Sequence, residues 1–247
     1  MAKTQRMKIC LLFIIASLIF SPAVWAQKQF SKTYPASRNV RLQLTNLTGT
    51  IEVYGWEREE IRVKASMESP TAKMLPESSS QNLTINIVRD NQGRGDIGSV
   101  NFKVWVPYGS AVDIETKMGN LSVRDLSGSM IRAKISTDGD INLSNIRANT
   151  VMAESSIGNI FFDGELKTDG TYSFRLTRGD INVRIPFTSS FRLAATASEP
   201  NNFALGPLAN SGLSFASGGR KVTGSVNDGR ANMTILNKRG TIAFILR

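Results

Sequence analysis

The chain has 247 residues, with 30 Lys and Arg against 20 Asp and Glu, one Cys and no His. The single cysteine, Cys10, lies in an apolar N-terminal run, so beyond that run disulfides, thiol nucleophiles, zinc sites of His and Cys, and triads that need an imidazole are all excluded. The net charge of +10 is met either by a solvated basic rim or by a surface for anionic polymers.

Residues 1–26 read as an export signal. Lys3, Arg6 and Lys8 form a basic start, Ile9 to Phe20 an apolar run, and Val24 and Ala26 the small residues before cleavage. The run is shorter than the ~20 residues that span a bilayer, so no transmembrane span is expected after cleavage. Removing the signal leaves 27–247 as one domain with 27 bases against 20 acids.

Alternating apolar residues then mark strands. Val40, Leu42 and Leu44 precede Gly49; Ile51, Val53, Ile61 and Val63 follow it. Residues 66–81 are polar and read as loop. Leu83, Ile85 and Ile87, a turn at 91–96, and Val100 to Val106 predict a β-hairpin insertion over 82–106.

Over 112–185 one phrase recurs: Gly, then Asn or Asp, then an aliphatic residue, any residue and an apolar one. The copies begin at Gly119, Gly139, Gly158 and Gly179. A period of about 20 residues is the mark of a solenoid. Before the glycines, Val112/Ile114, Ile131/Ala133, Val151/Ala153 and Tyr172/Phe174 take matching inward positions, and Leu126, Ile146, Leu166 and Ile185 form a third inward corner. Glycine at the corner supplies a positive φ. Asn120, Asp140, Asn159 and Asp180 then stack as a corner ladder. A calcium column is disfavoured, because the doubled glycine of the calcium-binding repeat is missing. Outward, Glu115, Lys134, Glu154 and Arg175 alternate in sign from coil to coil.

Residues 186–225 form an irregular segment, and 226–247 a terminal coil about Gly240, with Met233 and Ile235 in the inward slots. Gly49 and Gly240 thus mark the end coils. Residues 220–247 hold six bases against Asp228, which makes Arg220, Lys221, Arg230, Lys238 and Arg239 candidate anion-binding residues. Phe161, Trp56 and Trp105 are expected to serve packing rather than as ligand platforms. The fold class is therefore all-β: a single-stranded parallel β-solenoid, β-helix-like, with coils of about 20 residues.

Leu44 to Trp56, Val104 to Leu121, and Val222 to Phe244 together resemble the bacterial putative-adhesin domain family of unknown function. The resemblance spans nearly all of 27–247. It implies an extracytoplasmic β-solenoid and carries no catalytic residues to transfer.

The function expected is that of an exported, non-catalytic β-solenoid, adhesin-like, binding or scaffolding at the bacterial cell envelope, in the periplasm or at the cell surface. No catalytic residue, metal site or cofactor is assigned. The partner is an anionic envelope glycan, a lipid headgroup or an envelope protein, and not nucleic acid. Two alternatives stay open: a carbohydrate-active β-helix enzyme, lyase or hydrolase, and an envelope-stress or signalling accessory.

Overall fold

The computed structural model describes residues 28–92, 94 and 96–247. The signal expected over residues 1–26 lies outside the described residues, as do Gly93 and Gly95 of the expected turn.

The first strands are β1 (Lys28–Pro35), β2 (Arg41–Thr48), β3 (Ile51–Trp56), β4 (Glu60–Met67), β5 (Glu77–Ser78), β6 (Asn82–Asn86) and β7 (Val100–Pro107). The regular coils follow as pairs: β8 (Ala111–Met118) with β9 (Leu121–Leu126), β10 (Met130–Asp138) with β11 (Ile141–Ile146), β12 (Thr150–Ile157) with β13 (Ile160–Gly164), and β14 (Thr171–Arg178) with β15 (Ile181–Ile185). The last strands are β16 (Phe191–Ala197), β17 (Phe203–Ala204), β18 (Leu213–Ala216), β19 (Lys221–Val226), β20 (Ala231–Asn237) and β21 (Ile242–Leu246).

The strands form two sheets. One runs β1-β4-β7-β3-β9-β11-β13-β15-β21-β17, the other β18-β19-β16-β20-β14-β12-β10-β8-β2-β6-β5. Each coil gives one strand to each sheet, paired in parallel with its neighbours. The inward rows of both sheets enclose one core. Rings meet across it: Phe162 of one sheet lies 5.2 Å from Phe174 and 5.8 Å from Tyr172 of the other. Beside these large rings the register sets Ala133 and Ala153 in the same inward row as Phe174, so volume is traded between coils at constant packing.

The inward slots of the regular coils fall in register as expected, with Val112, Ile131, Val151 and Tyr172 in one row. The third corner differs in one coil. Ile146 pairs with Gly164, not Leu166, and Leu166 is only partly buried. The Ile146 carbonyl and the ring of Phe162 occupy the space a side chain at 164 would need. The extra residue near Asp138 is taken up as a bulge between Ile135 and Asp138.

The expected 82–106 hairpin is corrected. β6 pairs in parallel with β2, and β7 in parallel with β3, in different sheets. A single helical turn, Ile87–Asp90, and a loop carry the chain between them. The segment is therefore a further coil, with Leu83 and Ile85 beside Leu42 and Leu44, and Phe102 and Val104 beside Ile51 and Val53. Alternation marks each run as a strand, but it does not say which sheet the strand joins.

The end coils are also corrected. The Gly49 coil lies between β6/β7 and β8/β9, and the Gly240 coil between β14/β15 and β16/β17. The 186–225 segment is not uniformly irregular: β16 extends the stack in parallel beyond β20, and β19 and β18 close its edge antiparallel. At the opposite end β4 and β1 close the other sheet antiparallel.

Candidate functional site

The corner glycines and their Asx neighbours form a column. The Asp140 N–H donates to Asn120 Oδ1 (2.9 Å), Asn159 N–H to Asp140 Oδ1 (2.6 Å), Asp180 N–H to Asn159 Oδ1 (3.0 Å) and Thr241 N–H to Asp180 Oδ1 (2.7 Å). The partner of each side chain is thus mainly the backbone of the next coil. Gly158 has φ +120, and a Cβ there would strike the carbonyl of Gly139. The stack itself, as well as the turn, demands glycine. Asn46, Thr116, Ser155 and Asn237 are buried just inside this corner and bond backbone carbonyls.

On the outer face of the β8–β14 sheet, Lys134 lies in register with Glu115 and Glu154, and Glu154 with Arg175. Among the described residues, ion pairs close on this face in the first coils: Lys134 Nζ to Glu115 Oε1 at 3.1 Å, Arg132 to Asp113 at 2.8 Å and to Glu115 at 3.6 Å, and Arg41 to Asp113 at 3.4 Å. The hydrogen bond from Arg132 to Asp113 raises the guanidinium pKa further. The carboxylates of this cluster are thereby held by bases.

The five C-terminal bases do not converge. Lys221 pairs with Thr196 late in β16, the Arg220 carbonyl receives the Ala197 N–H, and Lys238 and Arg239 follow β20 at the same strand end. Arg230 precedes β20 at the other end and pairs with Asp228 at 3.0 Å.

A different group of bases does gather. On the outer face of the other sheet, near its β1 edge, Tyr54 and Trp105 stack at 5.9 Å, and Trp56 lies 6.4 Å from Trp105. Both tryptophans pack on this outer face, half-buried, rather than in the core. Cations cover the ring faces: Arg58 and Arg62 lie 5.3 and 5.2 Å from the Trp56 ring, and Lys64 lies 5.8 Å from that of Trp105. Lys103 sits beside Lys64 across the β4–β7 pairing and reaches Glu52 at 3.4 Å. The Tyr54 hydroxyl donates to Glu52 (2.6 Å), a bond that raises the tyrosine pKa. Glu60 serves Arg58 at 3.5 Å and Arg62 at 3.8 Å. The sequence holds a signal for this site: aromatics and bases fall at two-residue spacing in Tyr54, Trp56 and Arg58, in Arg62 and Lys64, and in Lys103 and Trp105. Their adjacency depends on β7 entering between β3 and β4.

Phe161 is half-buried on the same face, between Asn142 and Asn182. No helix among the described residues is long and apolar enough to cross a membrane.

A family profile described as Toastrack DUF4097 matches residues 30–242. Among solved structures, a putative cell adhesion protein from Clostridium sporogenes is 12% identical, with 89% of this chain and 98% of that chain covered and a TM-score of 0.49. A putative adhesin from Parabacteroides distasonis is 12% identical, with 90% and 98% covered and a TM-score of 0.39. A putative lipid binding protein from the same organism is 10% identical, with 88% and 97% covered and a TM-score of 0.34. No curated protein matches the chain.

Proposed function

The chain belongs to the Toastrack DUF4097 family, and from that premise we propose that it is an exported, non-catalytic, adhesin-like protein that binds an anionic partner at the bacterial cell envelope. The observation that carries the reading is the cluster of Arg58, Arg62 and Lys64 over the rings of Trp56 and Trp105, with Lys103 beside Lys64. Ring faces hold three of the cations in place above an open sheet; Glu60 and Glu52 pair with Arg58, Arg62 and Lys103, while Lys64 has no acid partner among the described residues. Preset cations lose less side-chain freedom when an anion arrives. The signal-like residues 1–26 support the route out of the cytoplasm. The bases at 220, 221, 238 and 239, near one strand end of β16 and β20, serve as a comparison set.

Retention of purified 27–247 on immobilised lipopolysaccharide and on polygalacturonate tests the reading. Retention is expected near ~0.05 M salt and is lost toward ~1 M, since exposed charges are screened over that range. Reversing Arg62 and Lys64 to Glu should weaken retention about tenfold, or ~1.4 kcal/mol. Unchanged retention in that variant removes the aromatic–basic face from the account. Release of oligosaccharide from polygalacturonate removes the non-catalytic part.

A further inference from the structure

We infer that the turn edge following the β3–β9–β15 sheet binds a neutral glycan chain laid along the solenoid axis. The edge borders the anionic face at Trp56, which lines the first cleft, but its second and third clefts share no residue with that face.

The edge is built by the turns that leave successive strands of that sheet. Backbone bonds tie one turn to the next: Tyr108 N–H to the Trp56 carbonyl (3.0 Å), Ser127 N–H to that of Tyr108 (2.8 Å), Arg147 N–H to that of Leu126 (2.8 Å) and Glu165 N–H to that of Ile146 (2.8 Å). Pro186 and Phe187 continue the column after β15. Three clefts open along it. One of about 260 Å³ lies between Trp56 and Tyr108. The second, about 340 Å³, runs from Tyr108 past Asp125 to Arg147. The third, about 710 Å³, lies between Glu165, Phe187 and Arg230. Tyr108 is a wall of both the first and the second cleft, and the Arg147–Glu165 pair (3.2 Å) joins the second to the third.

Two large rings stand in solvent along this run, Tyr108 between the first and second clefts and Phe187 at the third. Tyr108 is 48% exposed and Phe187 70%. From the Tyr108 turn to the Phe187 turn is four coil steps, about 19 Å at ~4.8 Å per step. The ligand must therefore be long, narrow and solvated, with apolar faces for two rings and hydroxyls between them. A chain of pyranose rings has that form, because each ring carries an apolar C–H face and a rim of hydroxyls. Between the aromatics, Asp125 and Asn145 both take positive φ and are joined by an Asn145 Nδ2 to Asp125 Oδ1 bond of 2.7 Å. Their remaining donor and acceptor sites face the second cleft.

Charge decides against a polyanion here. Each base of the edge already meets an acid: Arg38 with Glu59 at 2.6 Å, Arg147 with Glu165 at 3.2 Å and Arg230 with Asp228 at 3.0 Å. A neutral glycan can bond these paired groups without breaking them.

Calorimetric titration of purified 27–247 with neutral linear hexasaccharides of glucose, mannose and N-acetylglucosamine tests the inference. At least one hexasaccharide should bind with equal affinity at about 0.15 M and about 1 M salt. Its disaccharide, unable to reach both rings, should bind at least about tenfold more weakly. Tyr108→Ala and Phe187→Ala should each cost about tenfold or more, while the exposure of both rings leaves the thermal midpoint unchanged. Lys64→Glu, whose residue lies over Trp105 and lines none of the three clefts, should leave hexasaccharide binding intact. The inference is overturned if no hexasaccharide binds, if binding survives both ring substitutions, or if it disappears at high salt.

Discussion

At the residue scale, the repeat phrase is made of backbone constraints. A glycine that carries a positive φ also sits against the glycine of the coil before it, as Gly158 does on Gly139. The Asx side chains after it accept N–H groups that a flat sheet edge would leave to water. Period and residue type made this column legible in the sequence; its hydrogen-bond donors were not, because they are backbone groups that look alike at every position. Tyr172 is the residue with the clearest pH signature. Its hydroxyl accepts the Lys167 N–H (2.7 Å) and donates to the Ala148 carbonyl (3.0 Å), and burial pushes its pKa up. A folded-state value above the unfolded value of ~10 means that the neutral phenol's contribution is complete below about pH 10 and is lost as pH rises through the folded value. Tyr172→Phe should therefore cost about 1–2 kcal/mol at neutral pH and flatten the alkaline fall in stability. Tyr34 and Tyr54, whose pKa values are also raised, retain part of that fall. Urea denaturation from pH 7 upward checks this, and an alkaline limb as steep in the variant as in the parent contradicts it.

At the scale of elements, alternation identified strands and left their partners open. For the regular coils this did not matter, since a fixed period puts each strand beside its copy. The 82–106 segment carries the local pattern of a hairpin, two alternating runs on either side of a turn-rich loop, although the two strands join different sheets. Only the slots left beside β2 and β3 show that they complete a coil. The outward charges belong to this scale as well. Lys134 sits between Glu115 and Glu154, and the first of these is a 3.1 Å pair. Lys134→Glu removes that pair and sets three carboxylates in a row. A loss of about 0.5–2 kcal/mol follows from the cross-strand and exposed-pair scales. The melting temperature should fall at low salt and partly recover at high salt. A melting temperature equal to that of the parent at low salt would sink the ladder.

At the scale of the whole molecule, neither end coil in sequence is an end coil in space. β16 and β17 are laid down one coil too far out, and β20 and β21 fill the gaps between β14 and β16 and between β15 and β17. In a stack whose coils touch only their neighbours, removing an inner coil disconnects what lies outside it. Deleting residues 231–247 should therefore expose the inward row of β15 and free β16 to β19. Each newly exposed large side chain forfeits about 1.5–3 kcal/mol. Hydrogen exchange should show protection kept over 111–164 and lost over 191–226. Protection retained in β16 would contradict the wedge role of the last coil. The same topology makes the aromatic–basic face, because β7 enters between β3 and β4 and thereby sets Trp105 between Tyr54 and Lys64.

The sequence by itself determined the solenoid class, the coil length, the inward rows and the corner chemistry, because each of these follows from a residue pattern repeated at a fixed distance along one chain. The tertiary structure alone decided the coil order at both ends and the surfaces on which partners are proposed. Those surfaces join residues distant along the chain, Trp56 with Trp105 and Glu165 with Arg230, and sequence spacing carries no information about which strand is inserted beside which.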